Sequence, residues 1–176
     1  MELYLMRHGE TNYNVLGLCN DDPADPVYLT ERGRRQAREA ALRLKATPIG
    51  RILVSELPRT VQTAAIVNTH HGAPLTVRAE LNDIRTGFNG RPVEEFHRAL
   101  AGSPLTHKAP GGESICEHKA RVLEVLQWLG QATEPVILVV SHEEPLRVLI
   151  GHFQGLGDRE MMGLKIDNCQ ILHFRL

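Results

Sequence analysis

Apolar residues along this chain fall into two patterns, short unbroken runs and longer stretches in which they recur every three or four positions. Leu3, Tyr4, Leu5 and Met6 form the first run and Ile52, Leu53 and Val54 the second. Residues 136–140 form a third run, continuous and rich in β-branched side chains, as in strands buried on both faces of a parallel sheet. Leu75–Val77 predicts a short further strand, and the alternation across Ile171, Leu172, His173, Phe174 and Arg175 predicts a last one at a sheet edge. Between the runs the spacing is helical. Ala37, Ala40, Ala41 and Leu44 oppose Arg34, Arg35, Arg38 and Glu39, which predicts a helix capped by Thr30 and running to about Lys45. Pro58 suits the first turn of a second helix, expected to turn Val61, Ala64, Ala65 and Val67 inward and to end near His70, His71 and Gly72. Val93, Phe96 and Leu100 mark a short helix. Ser114 and Glu117 form a capping box for a helix with Ile115, Val122, Leu126 and Leu129 on one face. Pro145 is expected to start the helix that carries Leu146, Leu149, Ile150 and Phe153.

Residues 17–27, 80–92 and 101–112 are rich in Asn, Asp, Gly and Pro and read as loops, the first on the surface and the last able to act as a lid. Strands alternating with helices predict an α/β three-layer sandwich: a mainly parallel sheet with helices on both faces and an antiparallel strand at one edge. In such a sheet the loops leaving successive strands open along one edge, where ligands bind. His8 follows the first run, Arg59 the second and His142 the third, so the topology alone brings three distant residues together.

A length of 176 residues suits a single domain spanning 1–176, able to bury roughly two thirds of the surface of its unfolded chain. With 20 basic and 21 acidic residues the net charge is -1, which offers no basic footprint for nucleic acid and no polybasic segment for a membrane. Cys19, Cys116 and Cys169 are odd in number and widely spaced, as expected of reduced thiols rather than a disulfide framework or zinc site. The N-terminal run is too short for a signal-peptide core. The expectation is a cytoplasmic protein whose partner is a small molecule, with a homodimer as an option.

The candidate chemistry begins where the first run ends, at Arg7, His8, Gly9, Glu10, Thr11, Asn12, Tyr13 and Asn14. Arg7 and His8 are either two donors for an anion or a charge beside a nucleophile. This stretch resembles the R-H-G-[EQ]-[ST]-x-x-N signature of the histidine phosphatase superfamily, which includes the cofactor-dependent phosphoglycerate mutases. Ser55, Leu57, Arg59, Gln62, Thr63 and Ala64 look like its second motif, Gly112, Glu113 and Ser114 its third, and Val140, Ser141 and His142 its fourth. The resemblance, closest to small phosphatases of bacterial type, implies that His8 is a nucleophile that becomes phosphorylated. It also implies that Arg7, Arg59 and His142 surround the phosphoryl oxygens, that Asn14 adds a hydrogen bond, and that neither a metal nor another cofactor is needed. Two guanidiniums and an imidazole suit that task, since phosphoryl transfer depends on positioning and charge neutralisation.

The chain departs from the pattern twice. In the segment resembling L-x-E-x-x-x-G the acid is an aspartate, Asp83, one methylene shorter than glutamate. After His142, where glycine is common, stand Glu143 and Glu144; a carboxylate there repels a phosphate dianion unless turned away, paired or protonated. Another branch carries its acid directly after the second histidine, which makes Glu143 a rival to Asp83 as general acid. The leading expectation is a metal-independent phosphomonoesterase acting on a small phosphorylated metabolite. The alternatives are mutase-type transfer, a phosphate-binding regulatory module with little turnover, and a metal hydrolase built on His8, His142 and a carboxylate.

Overall fold

The computed structural model describes residues 1–103 and 105–176. Among them, strands β1 (Glu2–Arg7), β2 (Arg51–Val54), β3 (Leu75–Val77), β4 (Val136–Ser141) and β5 (Ile171–Arg175) form one sheet in the order β3-β2-β4-β1-β5. All neighbours are parallel except β5, which runs antiparallel to β1 at the edge. β4 takes the centre because each of its residues is apolar or small and all are buried, so both of its faces tolerate a covering layer. The register aligns Arg7 of β1 with Ser141 of β4, and Val54 of β2 with Val140. The chain therefore leaves three adjacent strands at nearly the same height, and the residues that follow them meet.

Helices α1 (Asn12–Leu16), α2 (Glu31–Leu44), α3 (Pro58–Val67), α4 (Val93–Ala99), α5 (Ile115–Leu123), α6 (Val125–Leu129), α7 (Glu143–Gln154) and α8 (Asp158–Gly163) surround the sheet. On one face Met6, Ile52, Val54, Leu138 and Val140 pack against Ala37, Ala41 and Leu44 of α2 and Ala64 and Val67 of α3. On the other, Leu3, Leu5, Leu53, Ile137 and Val139 pack against Val122, Leu129, Leu146, Leu149 and Met161 from α5 to α8. Thr30 caps α2 through Gly33, and the Ser114–Glu117 capping box starts α5 as its sequence predicts. No helix among the described residues is long and apolar enough to cross a membrane.

Several expectations need correction. α1 and α8 were not anticipated, because they have 5 and 6 residues and are too short to establish a period. α3 buries Arg59, Thr60, Thr63, Ala64 and Val67, while Val61 and Ala65 face outward. Its inward face is partly polar because it supports the site described below. α7 begins at Glu143, so Pro145 occupies the third helical position, where its missing N–H costs no helical bond. The loop over 17–27 is not simply a surface loop, since Cys19, Asn20 and Val27 are buried. The proposed lid at 101–112 includes Pro104, which lies outside the described residues; its far end is joined to the preceding loop by the Glu113 N–H, which donates to Arg85 O at 2.8 Å.

The loop carrying His8 is locked to α2. The Thr30 hydroxyl donates to Glu10 Oε1 at 2.8 Å, and Gln36 Oε1 accepts from the Glu10 N–H at 2.9 Å. Gly9 and Gly33 form the contact itself: a Cβ on Gly33 would stand 2.1 Å from Glu10 O, and one on Gly9 2.5 Å from Gly33 O. Gly9 is thus required for close approach of two backbones. Gly33→Ala should destabilise the protein by about 1–3 kcal/mol despite alanine's roughly 1 kcal/mol advantage in helix propensity. Gly163→Ala, with open space around its Cβ, should stay within about 0.5 kcal/mol of wild type. Denaturant unfolding compares them; equal midpoints would show that the α2 contact yields without cost.

Candidate active site

Arg59 stands at the centre of the strand ends. The first turn of α3 lifts it from β2 into a position where it is 4% exposed, between the residues that follow β1 and β4. Its Nε–H is shared between His8 Nε2 at 3.2 Å and His142 Nδ1 at 3.0 Å. Nη1 donates to Asn20 Oδ1 at 2.5 Å, and Nη2 donates to Asn20 O at 3.1 Å and Asp83 Oδ2 at 2.9 Å.

These bonds assign the tautomers. His8 Nδ1–H donates to its neighbour Gly9 O at 2.7 Å, which leaves the Nε2 lone pair facing Arg59. His142 accepts at Nδ1, so Nε2 carries the proton and donates to Ser55 Oγ at 2.8 Å. Ser55 passes its hydroxyl hydrogen to Thr60 Oγ1 at 2.8 Å, and Thr60 donates to Leu57 O at 2.9 Å. Burial, reinforced by the charges of Arg59 and Arg7, holds His8 well below the usual imidazole range. Burial and Arg59 do the same for His142. Both rings are neutral near pH 7.

A cavity of about 240 Å³ opens in front of this cluster, lined by Arg7, His8, Asn14, Arg59, Asp83 and Glu143 among others. Six of the seven residues singled out in the sequence therefore share one surface. His142 is the exception: it is fully buried and lies behind Arg59. Asn14 completes the capping box of α1 through Oδ1 and its own N–H. Arg7 Nη1 donates to Ile166 O at 2.6 Å and pairs with Glu143 Oε2 at 2.9 Å, while its buried Nε has no partner among the described residues. Glu143 is held on its other oxygen by Arg147 at 2.8 Å and the Ile166 N–H at 3.3 Å. Glu144 pairs with Arg147 at 3.3 Å. Three guanidiniums, of Arg7, Arg59 and Arg147, thus face three carboxyls, of Asp83, Glu143 and Glu144. Arg59 itself donates to His8, His142 and Asp83, so a fixed cation stands among the three groups that a metal would have to share.

Asp83 differs from the other carboxyls. Burial first, and then the nearby charge of Glu144, raise it from 3.8 to about 7 against the opposing pull of Arg59. Its backbone is held by Glu113 of the third motif and by Arg121, which sequence reasoning did not single out. Arg121 donates to Asn82 O at 3.1 Å and Asp83 O at 3.2 Å, and it pairs with Glu113, which also accepts from the Arg85 N–H at 3.0 Å. The third motif therefore clamps both sides of the loop that carries Asp83. Asn20, Ser55, Thr63 and Asn168 were also missed as supports; Thr63 Oγ1 accepts from the Gly9 N–H at 3.1 Å, and Asn168 donates to His8 O at 2.9 Å. Only Ser55 and Thr63 had a signal, their place in the second motif.

The raised Asp83 fixes a sign for pH dependence. Between about pH 4 and 7 the folded state holds a proton that the unfolded state has lost, so this group's stabilisation is full below its unfolded pKa and fades as pH rises through about 7. The depressed histidines act oppositely, losing stability as pH falls. Asp83→Asn should therefore gain stability relative to wild type on moving from pH 5 to pH 8, with the difference between the two proteins isolating this group. Parallel unfolding curves at the two pH values would mean that Asp83 is ionised in the folded protein throughout.

Comparison with known proteins agrees with this geometry. The sequence pattern of the histidine phosphatase superfamily (branch 1) matches residues 3–176. A 2,3-bisphosphoglycerate-dependent phosphoglycerate mutase of Thermoplasma acidophilum is 32% identical over 171 residues, which is 95% of this chain and 83% of that protein. The alpha-ribazole phosphatase of Shigella flexneri superposes with a TM-score of 0.89 at 27% identity, covering 98% of this chain and 89% of that one. A mycobacterial glucosyl-3-phosphoglycerate phosphatase, solved with VO3, superposes with a TM-score of 0.84 at 25% identity, covering 98% and 91%. The relatives are thus named both as phosphatases and as mutases. With its first, second and fourth motifs meeting at one sheet edge and its third holding the Asp83 loop, this chain belongs to branch 1 of the histidine phosphatase superfamily.

Proposed function

We propose that this protein is a metal-independent phosphomonoesterase that hydrolyses a small phosphorylated metabolite through a phosphohistidine on His8. The observation that carries the reading is the hydrogen bond from His8 Nδ1–H to Gly9 O, which leaves Nε2 unprotonated beside Arg59 on a residue that lines the cavity. In the first step His8 Nε2 attacks phosphorus, the P–O bond to the leaving alcohol breaks, and Asp83 gives that oxygen its proton. In the second step water attacks the phosphohistidine, Asp83 takes the water's proton, and orthophosphate leaves with the N–P bond electrons returned to His8. Arg59 and Arg7 neutralise the equatorial oxygens, with His142 and Asn14 in support. Asp83 suits both proton transfers because a carboxyl that titrates near 7 gives and takes a proton with little penalty at neutral pH. Glu143 is the weaker candidate, since both its oxygens are held by arginines.

Mutase-type transfer is favoured by the names of the sequence relatives, the Thermoplasma mutase and enterobacterial proteins that are 31% identical and named probable phosphoglycerate mutases. It requires retention of the phosphoryl group on His8 until a second hydroxyl accepts it. Incubation with 3-phosphoglycerate and 2,3-bisphosphoglycerate decides between release of orthophosphate and formation of 2-phosphoglycerate.

Rapid quench of turnover should yield an acid-labile, base-stable phosphoryl label on the wild type and none on His8→Ala, whose kcat should fall by about 10³ or more. Full label and turnover in His8→Ala would remove His8 from the chemistry. A general acid matters most when the leaving alcohol is basic. Asp83→Asn should cut kcat for an alkyl phosphate by roughly 10² while affecting nitrophenyl phosphate far less, and it should abolish the alkaline limb near pH 7. Glu143→Gln should show neither effect; the reverse pattern would transfer the role to Glu143.

A further inference from the structure

The catalytic cavity continues past Asp83. It shares Ile84, Phe96, His97, Glu144 and Arg147 with a second cavity of about 410 Å³, within the size range of ligand pockets. Phe96 and Leu100 from the α4 region, Ile115 of α5, Val148 of α7 and Met161 and Met162 of α8 form its wall. The charged groups on the wall satisfy one another: Arg147 pairs with Glu144 at 3.3 Å and Glu143 at 2.8 Å, and its Nε donates to Leu164 O at 2.6 Å.

One polar atom at this wall is unmatched. His118 lines the cavity and is 1% exposed; its Nδ1 is engaged by Glu113 Oε1 at 3.1 Å and Arg121 Nη2 at 2.9 Å. Its buried Nε2 has no partner among the described residues. Buried ring nitrogens ordinarily have one, so this atom marks a hydrogen-bonding point on the buried part of the wall, away from the polar rim formed by His97, Glu144 and Arg147. The direction of approach is set by the chain. Ile84 follows Asp83 directly and lines both cavities, so an alcohol whose oxygen sits at the Asp83 carboxyl has its carbon frame led over Ile84 into the second one.

We infer that the second cavity receives the alcohol part of the substrate and that this alcohol is apolar: a phosphomonoester of an alkyl or aryl alcohol with at most one hydrogen-bonding group, rather than a phosphorylated sugar or hydroxy acid. The inference rests on the phosphatase reading for its turnover, and its test has an arm that does not. Alkylphosphonates, whose C–P bond is not hydrolysed, should bind about three- to fourfold more tightly per added methylene from methyl to hexyl. That is the effect of about 0.8 kcal/mol per buried methylene. Calorimetry should also give an increasingly negative heat-capacity change. In turnover, kcat/KM for propyl phosphate should exceed that for glycerol phosphate, which has the same carbon frame with two added hydroxyls. Met162→Glu and, as a milder change, Ile115→Ser should flatten the dependence of phosphonate affinity on chain length, with circular dichroism checking that each variant is folded. Equal affinity for methyl- and hexylphosphonate, or preference for glycerol phosphate over propyl phosphate, overturns the apolar assignment and leaves the phosphatase reading intact. Chain-length-dependent phosphonate binding with no turnover of any phosphomonoester supports the cavity assignment and overturns the phosphatase reading instead.

Discussion

The buried guanidinium of Arg59 is the constraint around which the site is built. A charge taken from water is costly unless it is paired and hydrogen-bonded, and here two imidazoles, Asn20 and Asp83 engage four of the five guanidinium N–H groups. Those partners come from four separate segments, so the guanidinium ties together the ends of β1, β2 and β4 and the loops at 17–27 and 80–92. It also explains the unusual inner face of α3. Thr60 and Thr63 are buried there because one closes the hydroxyl chain from His142 and the other accepts the Gly9 N–H. Their polarity positions the histidines, while Ala64 and Val67 keep the helix on the sheet.

The two departures from the superfamily pattern form one electrostatic arrangement. Glu143 is held between Arg7 and Arg147, and Glu144 leans on Arg147 while its charge adds to the burial that raises Asp83 to about 7. The shorter acid is compensated by a firmly held backbone, since Arg121 and Glu113 grip the loop on both sides of it. The carboxylates after His142 would oppose a phosphate dianion if free; paired as they are, they balance a cavity rich in arginine. Beyond Asp83, Arg147 and Glu144 pair with each other on the wall of the second cavity, whose remaining lining is mostly apolar.

Much of this was legible in the sequence because it depends on local pattern. Unbroken apolar runs predict β1, β2 and β4 since a strand covered on both faces has no polar side to show, and a β-branched run at 136–140 selects the centre of the sheet. Thr30 and the Ser114–Glu117 pair announce their helices because capping is a contact between neighbours in the chain. Strand-then-helix order implies that residues following parallel strands share an edge, which brings His8, Arg59 and His142 together from the sequence alone, whereas Asp83 is legible only through the resemblance of its segment to the superfamily pattern.

What only the tertiary structure decided is whatever depends on partners far apart in the chain. Val61 and Ala65 are as apolar as Ala64 and Val67, yet they face outward, because the strip of α3 that meets the β1 loop is chosen by Arg59 and Thr63. Asn20 sits in a run of turn formers and gives no periodic signal, so its bond to Arg59 is invisible until the loop folds inward. His142 lies behind Arg59 and not at the cavity surface, a difference of depth that a motif does not encode. The tautomers of both histidines, the pairing of Glu143 and the raised proton affinity of Asp83 follow from distances of a few ångströms between separate segments. Sequence period sets which residues reach the edge of a sheet, whereas burial and pairing there, which set charge and proton position, exist only once the segments have met.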